Sequence, residues 1–379
     1  METVVQFGAG NIGRGFVGQL FTEAGYEVVF VDVSPELVEG LNDRRSYPLR
    51  LVGPDRFETL EVRPVRAVNG RDLEAVAAEL ERCAFACTAV GVPALPHLVP
   101  ALAAGARRRE RTLDVILCEN QLHCSDLLRG LLAQHLDPGQ LSRVGLVESV
   151  VSRMVPVLSE EDRQSDPLLA VAEDYPTLPV ASAGFLGTLP DIPSLEPVAQ
   201  FGAYVERKLY VHNMGHAAAA YLGFERGCEY IHEAMERPEV AAVVEGAMTE
   251  AGEALVRKHR FDRDVIRRHR ENLIRRFRNA ALRDTVLRVG RDPIRKLRPD
   301  DRLVGAALTC LDWDVEPASI VRALAAAFRF APEGDPAAAE VQRVVREAGP
   351  GEALLRFTGQ RPDGELGRRV MEAWETFRG

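Results

Sequence analysis

Lys208, Asn213 and His216 lie close together in the run Lys208-Leu-Tyr-Val-His-Asn213-Met-Gly-His216. Their side chains make a proton-transfer set. A desolvated lysine can lose its proton and then take another from a substrate hydroxyl. An amide can donate to an oxyanion as it develops. An imidazole can hold the lysine or a second hydroxyl, and it can equally be a satisfied structural histidine. Composition marks this lysine out. Only three of the 47 basic residues are lysines (Lys208, Lys258 and Lys296), and the rest are arginines. Arginine stays protonated at any working pH, so a persisting lysine is a candidate for work arginine cannot do. A GC-rich coding bias that leaves a few lysines behind is the plain alternative. His212 and His216 have the i, i+4 spacing of helical metal ligands. No His-Glu-x-x-His context accompanies them, and no metal is expected.

Read as one helix, offsets of 0, 5 and 8 put the three side chains within an arc of about 140° at about 100° per residue. All three can then face one cleft.

A second constellation opens the chain. Thr3–Phe7 has the composition of a short strand, Gly8-Ala-Gly10-Asn-Ile-Gly13 follows at once, and residues 14–24 show helical spacing with Phe16, Val17, Leu20 and Phe21 on one side. Gly25 ends that helix and Glu27–Asp32 reads as a second strand. Glycines between a strand and a helix, inside a β-α-β unit, are the fingerprint of a dinucleotide site. Gly8 permits the turn, Gly10 leaves room for a pyrophosphate, and Gly13 lets helix and strand pack closely. The helix start presents N–H groups and a positive dipole end to the phosphates, so Phe7, Gly8, Ala9, Gly10, Asn11, Ile12 and Gly13 are expected to cradle the cofactor. Asp32 ends the second strand. Its carboxylate suits ribose hydroxyls and repels a 2′-phosphate, and no basic residue follows nearby, which predicts NAD rather than NADP.

Residues 83–91 and 114–120 read as further buried strands of the same sheet, and residues 144–156 as another ending in polar groups. Ligands bind beyond the carboxyl ends of such strands. Thr88, Val90, Glu119 and Asn120 are therefore placed near cofactor and substrate. For Glu119 and Asn120 a polar cap on the next helix is an equal alternative.

At 379 residues the chain predicts two domains. Prolines recur at 176, 179, 190, 193 and 197, where extended segments or a boundary are expected. From residue 203 the pattern turns helical, with helices expected over 229–235, Pro238–His259, 263–279 and 317–328. The expected fold is α/β: an N-terminal Rossmann-type dinucleotide-binding domain over 1–195 and a mostly α-helical catalytic domain over 196–379, with the active site in the cleft between them. The net charge of -9 gives no footprint for nucleic acid. No apolar run approaches the roughly 20 residues of a membrane span, and no signal segment opens the chain. The six cysteines lack zinc spacing and fit cytoplasmic thiols. Nothing in the sequence sets an oligomeric state.

These motifs together resemble the polyol-specific long-chain dehydrogenases, the mannitol dehydrogenase family, over nearly the whole chain. The carriers are Gln6-Phe-Gly-Ala-Gly-Asn-Ile-Gly-Arg-Gly15, Thr88-Ala-Val-Gly91, Cys118-Glu-Asn120, Glu206-Arg-Lys208-Leu-x-x-x-Asn213-x-Gly-His216-Ala, Ala220-Tyr-Leu-Gly223 and Val289-Gly-Arg-Asp-Pro-Ile-Arg-Lys-Leu297 with Asp301-Arg302-Leu303. The resemblance implies an NAD-dependent, metal-independent hydride transfer, with Lys208 as general acid/base and Asn213 and Asn120 steadying the alkoxide. It fits best the branch that interconverts D-mannitol 1-phosphate and D-fructose 6-phosphate. The same fold acting on a free polyol or sugar acid, or serving as a non-catalytic NAD sensor, is the alternative. Three positions depart from the family pattern: Ser152 replaces a carboxylate, Met214 a threonine, and Gly305 a basic residue. A phosphorylated substrate needs cations, and Arg153, Arg291, Arg295 and Lys296 are the candidates. For Lys296 a surface basic cluster is the alternative.

Overall fold

The computed structural model describes residues 1–53, 57–119, 123–156, 158 and 160–376. The chain divides into two compact units, Met1–Tyr204 and Val205–Gly379.

The first unit is built on β1 (Thr3–Phe7), β2 (Glu27–Asp32), β3 (Tyr47–Val52), β4 (Phe57–Val62), β5 (Val65–Asn69), β6 (Phe85–Thr88), β7 (Leu113–Leu117), β8 (Val144–Glu148), β9 (Ala170–Glu173), β10 (Leu178–Ala181) and β11 (Leu195–Val198). Six of them form one sheet in the order β5-β2-β1-β6-β7-β8. All its pairings are parallel. This is the doubly wound order of a Rossmann fold. The near-continuous apolar strands follow from that placement, because a parallel sheet is covered on both faces. Val4, Val28, Phe30 and Cys87 join the core on one face, and Val5, Phe7, Ala86 and Val115 the core on the other. The apolar side of the first helix, Phe16, Val17, Leu20 and Phe21, is 0–1% exposed. Burial of that kind contributes roughly 1.5–3 kcal/mol per large side chain.

Two small sheets complete this unit. One pairs β3 with β4 antiparallel and with β9 in parallel; the other pairs β10 with β11. The recurrent prolines from 176 to 197 do coincide with short extended segments. The β3–β9 sheet is tied to the glycine-motif helix through Tyr47, whose hydroxyl donates to the Arg14 carbonyl at 2.6 Å. Its ring meets Phe30 edge-on.

Every regular element among the second unit's described residues is helical, apart from one isolated bridge. Pro238–His259 forms a single long helix, starting at a proline whose missing N–H needs no partner there. Ile231–Glu236, Arg263–Phe277 and Ala318–Ala327 follow, within one or two residues of expectation. The segment with the three candidate residues departs from a plain α-helix. Phe201–Glu206 is α-helical, Arg207–Asn213 is π-helical, and Met214–Glu225 is α-helical again.

Candidate active site

The glycine turn has the geometry a dinucleotide needs. Gly8 sits at φ +90°, and a Cβ there would lie 2.6 Å from the Ala89 carbonyl oxygen. A Cβ on Gly13 would lie 2.0 Å from the Gly8 oxygen. Both glycines are fixed by sterics. Gly10 is exposed, and a Cβ there would meet nothing within 4 Å. The space beside it is open, and no side chain caps the helix start that follows. Uncapped N–H groups beside an open glycine are a seat for a pyrophosphate. Asp32 is held at this turn: one carboxylate oxygen accepts from Ala9 N–H at 2.7 Å and the other from Ser34 N–H at 3.0 Å. The chain thus fits an NAD on its own donor and acceptor set.

Glu119 joins the same strand ends. It is buried, and its carboxylate clamps the turn after β6, accepting from Val90 N–H at 3.0 Å and Gly91 N–H at 2.8 Å. Thr88 is fully buried, and its carbonyl accepts from Cys118 N–H at 2.9 Å. Asn120 lies outside the described residues.

In the second unit Lys208 and Asn213 flank one π turn. An i→i+5 turn carries one residue more than an α turn, so positions five apart return to the same face. The roughly 140° expected between them from α winding is narrowed by this change of winding. Lys208 is half-buried. Desolvation first, and the Arg302 charge second, lower its pKa from 10.5 to about 8. That is the tuning a general base near neutral pH requires. His216 lies one turn further on. Its Nε2 is 2.9 Å from Asp284 Oδ2, and its ring stacks on Phe277 with centroids 4.9 Å apart. Asp284 is buried, and Arg288 Nε donates to it at 2.9 Å. Burial works to raise the Asp284 pKa, but His216 and Arg288 overcome it and hold the carboxyl below its usual value. His212 is buried instead, with desolvation first and Arg276 second keeping its pKa far below the usual imidazole value. It is a neutral core histidine.

Residues 2–194 match the family model described as the mannitol dehydrogenase Rossmann domain, and residues 200–349 match the mannitol dehydrogenase C-terminal domain. The chain belongs to the mannitol dehydrogenase family. Among curated proteins it is similar to the mannitol-1-phosphate 5-dehydrogenase of Brevibacillus brevis, 38% identical over 363 residues, which cover 94% of this chain and 93% of that protein. Two solved structures share its fold. One is the Pseudomonas fluorescens mannitol 2-dehydrogenase ternary complex with NAD and D-mannitol, at TM-score 0.77 and 18% identity, covering 100% of this chain and 92% of that one. The other is a D-sorbitol dehydrogenase in substrate-free form, at TM-score 0.83 and 18% identity, covering 99% and 93%. The chain is an oxidoreductase of the mannitol dehydrogenase family, with a Rossmann domain followed by a helical one.

Within that family frame the cations proposed for a phosphate separate into two groups. Arg153 belongs to the architecture. It is 4% exposed, and it donates through Nε to the Glu173 carbonyl and through one terminal nitrogen to Gly15 O at 3.0 Å and Gln19 Oε1 at 2.8 Å. Its guanidinium also lies over the Phe16 ring. It fastens the glycine-motif helix to β9 through Nε and one terminal nitrogen. Arg291, Arg295 and Lys296 do gather, around the helix Pro293–Lys296. Arg291 is exposed; Arg295 is exposed and pairs with Asp292 at 3.2 Å and Asp301 at 3.3 Å. Lys296 is 3% exposed and donates to the Arg291 carbonyl, so it is no surface cluster member. Desolvation first, then Arg302 and Arg295, lower its pKa from 10.5 to about 7.

Gly305 has a local cause. A Cβ there would lie 2.9 Å from the Tyr210 ring, so the π segment's tyrosine occupies the room a larger residue would need. Sequence reasoning missed Asp284 and Phe277, because neither stands in a motif near His216. Among the described residues no group of three His, Cys, Asp or Glu side chains is placed to hold a metal ion. Nor is any helix long and apolar enough to cross a membrane.

Proposed function

We propose that this chain is an NAD-dependent dehydrogenase that interconverts D-mannitol 1-phosphate and D-fructose 6-phosphate without a metal ion. The observation that carries the chemistry is a lysine with a pKa near 8, one π turn from an amide. The substrate reading rests on the 38% identity to a mannitol-1-phosphate 5-dehydrogenase over nearly the full length of both chains.

Residues 1–195 hold the cofactor in this reading and residues 196–379 carry the acid–base groups. Gly8 to Gly13 seat the pyrophosphate, and Asp32 accepts from the adenosine ribose. NAD, when bound, supplies the hydride acceptor. Neutral Lys208 takes the proton of the reacting hydroxyl. The Asn213 amide donates to the oxygen as negative charge builds on it, an interaction strongest in the transition state. His216, oriented by Asp284 and Phe277, holds a neighbouring hydroxyl. Arg291 and Arg295 are the guanidiniums suited to the phosphate. The six cysteines are all free thiols, which supports a cytoplasmic setting.

The test is NADH formation with purified protein over a panel of mannitol 1-phosphate, free mannitol, free sorbitol and sugar acids. Turnover on the phosphorylated polyol at a kcat/KM at least tenfold above every free polyol is expected. A free polyol as the better substrate would overturn the phosphate reading and leave the lysine chemistry standing. NAD binding with no turnover on any of them would overturn both.

A further inference from the structure

Glu206 is the last residue of the α-helical turn before the π segment, two positions ahead of Lys208. Its carboxylate is a bridge. Oε1 lies 2.8 Å from Lys258 Nζ, and Oε2 lies 2.7 Å from His259 Nε2. Lys258 and His259 are the last two residues of the long helix Pro238–His259, whose apolar side is buried in the unit's core. Arg260 turns into the left-handed region at φ 58° and ends that helix, so both partners sit at a defined terminus, where cations also complement the helix dipole.

A π turn is rare and occurs mostly as a single turn at functional sites, where surrounding contacts hold its extra residue in place. Residues two apart on a helix point to opposite sides. Glu206 therefore grips the segment from the side away from Lys208. We propose that Glu206 is a positioning residue: bridging Lys258 and His259, it pins the entry to the π segment and so fixes where Lys208 stands relative to Asn213. This rests on Lys208 as the base. The bridge also gives the third lysine a reason to persist. An ammonium is a point donor that occupies one carboxylate oxygen and leaves the other to His259. A guanidinium would chelate both oxygens as a fork and displace the imidazole.

The measurement uses the full-length enzyme with ε-13C-labelled lysine. Lys208 is assigned by its loss in Lys208→Met. In wild type it is expected to titrate near 8. In Glu206→Gln, the segment loosens and Lys208 gains water, so its midpoint moves up toward 10.5, lysine's ordinary value. The kcat is expected to fall about tenfold, the scale typical of lost outer partners. KM for NAD stays unchanged. A downward shift overturns the proposal, because simple loss of a nearby negative charge would produce it. An unchanged midpoint and unchanged kcat overturn it as well. If Glu206→Gln does not fold, Lys258→Met and His259→Asn decide the matter in the same titration, with the same upward shift expected. The NMR midpoint needs no substrate, so an enzyme inactive on mannitol 1-phosphate would sink the functional reading and leave this test intact.

Discussion

His216 Nε2 and Asp284 Oδ2 stand 2.9 Å apart, joining the helix Met214–Glu225 to a carboxylate just ahead of the short helix Val286–Gly290. The carboxylate at one ring nitrogen and the stacked Phe277 on the ring face hold the imidazole in place. Asp284→Asn keeps the shape and removes the charge. We expect kcat/KM to fall roughly 10–100-fold, as for other orienting partners, with KM for NAD unchanged. Steady-state kinetics in both substrates check this; wild-type kcat/KM in the variant would reduce the pair to packing.

The same carboxyl makes a pH prediction for the fold. Asp284 has a folded-state pKa below its usual value of 3.8. Its ionised form therefore stabilises the native state above pH about 4, and that contribution fades as pH falls through the lower folded value. Thermal melts of wild type and Asp284→Asn between pH 3 and 6 (about the span of the titration) are expected to converge at the acid end. Parallel curves would refute the linkage.

With Lys208 as the proposed base, its titration sets the pH dependence of the reaction. Oxidation of the hydroxyl needs the neutral amine, so kcat/KM in that direction should rise with pH and level off above about 8. Lys208→Arg cannot shed its proton, and the loss of a general base costs about 10²–10⁴-fold in rate. NADH-formation assays across the pH range provide both readouts. A Lys208→Arg enzyme with wild-type kcat would remove Lys208 from the chemistry.

Much of this was readable in sequence because it is local. The glycine turn, Asp32 and the Lys208-to-His216 spacing each lie inside a short run, where strand, turn and helix signals arise from neighbours. Gly8 and Gly13 were legible for the same reason, since Gly8 needs the positive φ of the turn and Gly13 meets the Gly8 carbonyl five residues before it. Asp284 was not, because its partner is distant in sequence and only packing brings them together. The π winding over Arg207–Asn213 was equally hidden, since periodicity assumes about 100° per residue. Arg153's contacts with Gly15, Gln19 and Phe16 were hidden as well, because all of them are distant in sequence.

Gly10 and Gly13 separate the demands of cofactor and fold. A Cβ on Gly13 would collide with the Gly8 carbonyl at 2.0 Å, so Gly13→Ala should lower stability as well as activity. A Cβ on Gly10 meets nothing in the protein, so Gly10→Val should leave the melting temperature within about 2 °C of wild type, a shift well under 1 kcal/mol. Its branched side chain would instead occupy the pyrophosphate seat. We expect KM for NAD to rise at least tenfold, about 1.4 kcal/mol of lost binding. An unchanged KM in a folded Gly10→Val enzyme would place the cofactor elsewhere.

Lys296 raises the question of why a chain so rich in arginine keeps lysine at a buried basic position. Its ammonium is 3% exposed, and burial with Arg302 and Arg295 nearby lowers its pKa to about 7. The unfolded chain holds this proton up to about pH 10.5, so between pH 7 and 10.5 it binds more protons than the native state. Native stability from this group therefore rises with pH across that window. Arginine has no neutral form to retreat to, and a full charge would have to be carried in the same desolvated place beside two other guanidiniums. Lys296→Arg is expected to cost about 2–4 kcal/mol at pH 7, and Lys296→Met to be neutral or stabilising. Denaturant unfolding at pH 7 and pH 9 (about two units apart on this rising limb) measures both. If Lys296→Arg matches wild type at pH 7, the site tolerates a permanent charge, and the lysine is kept for some reason other than its removable proton.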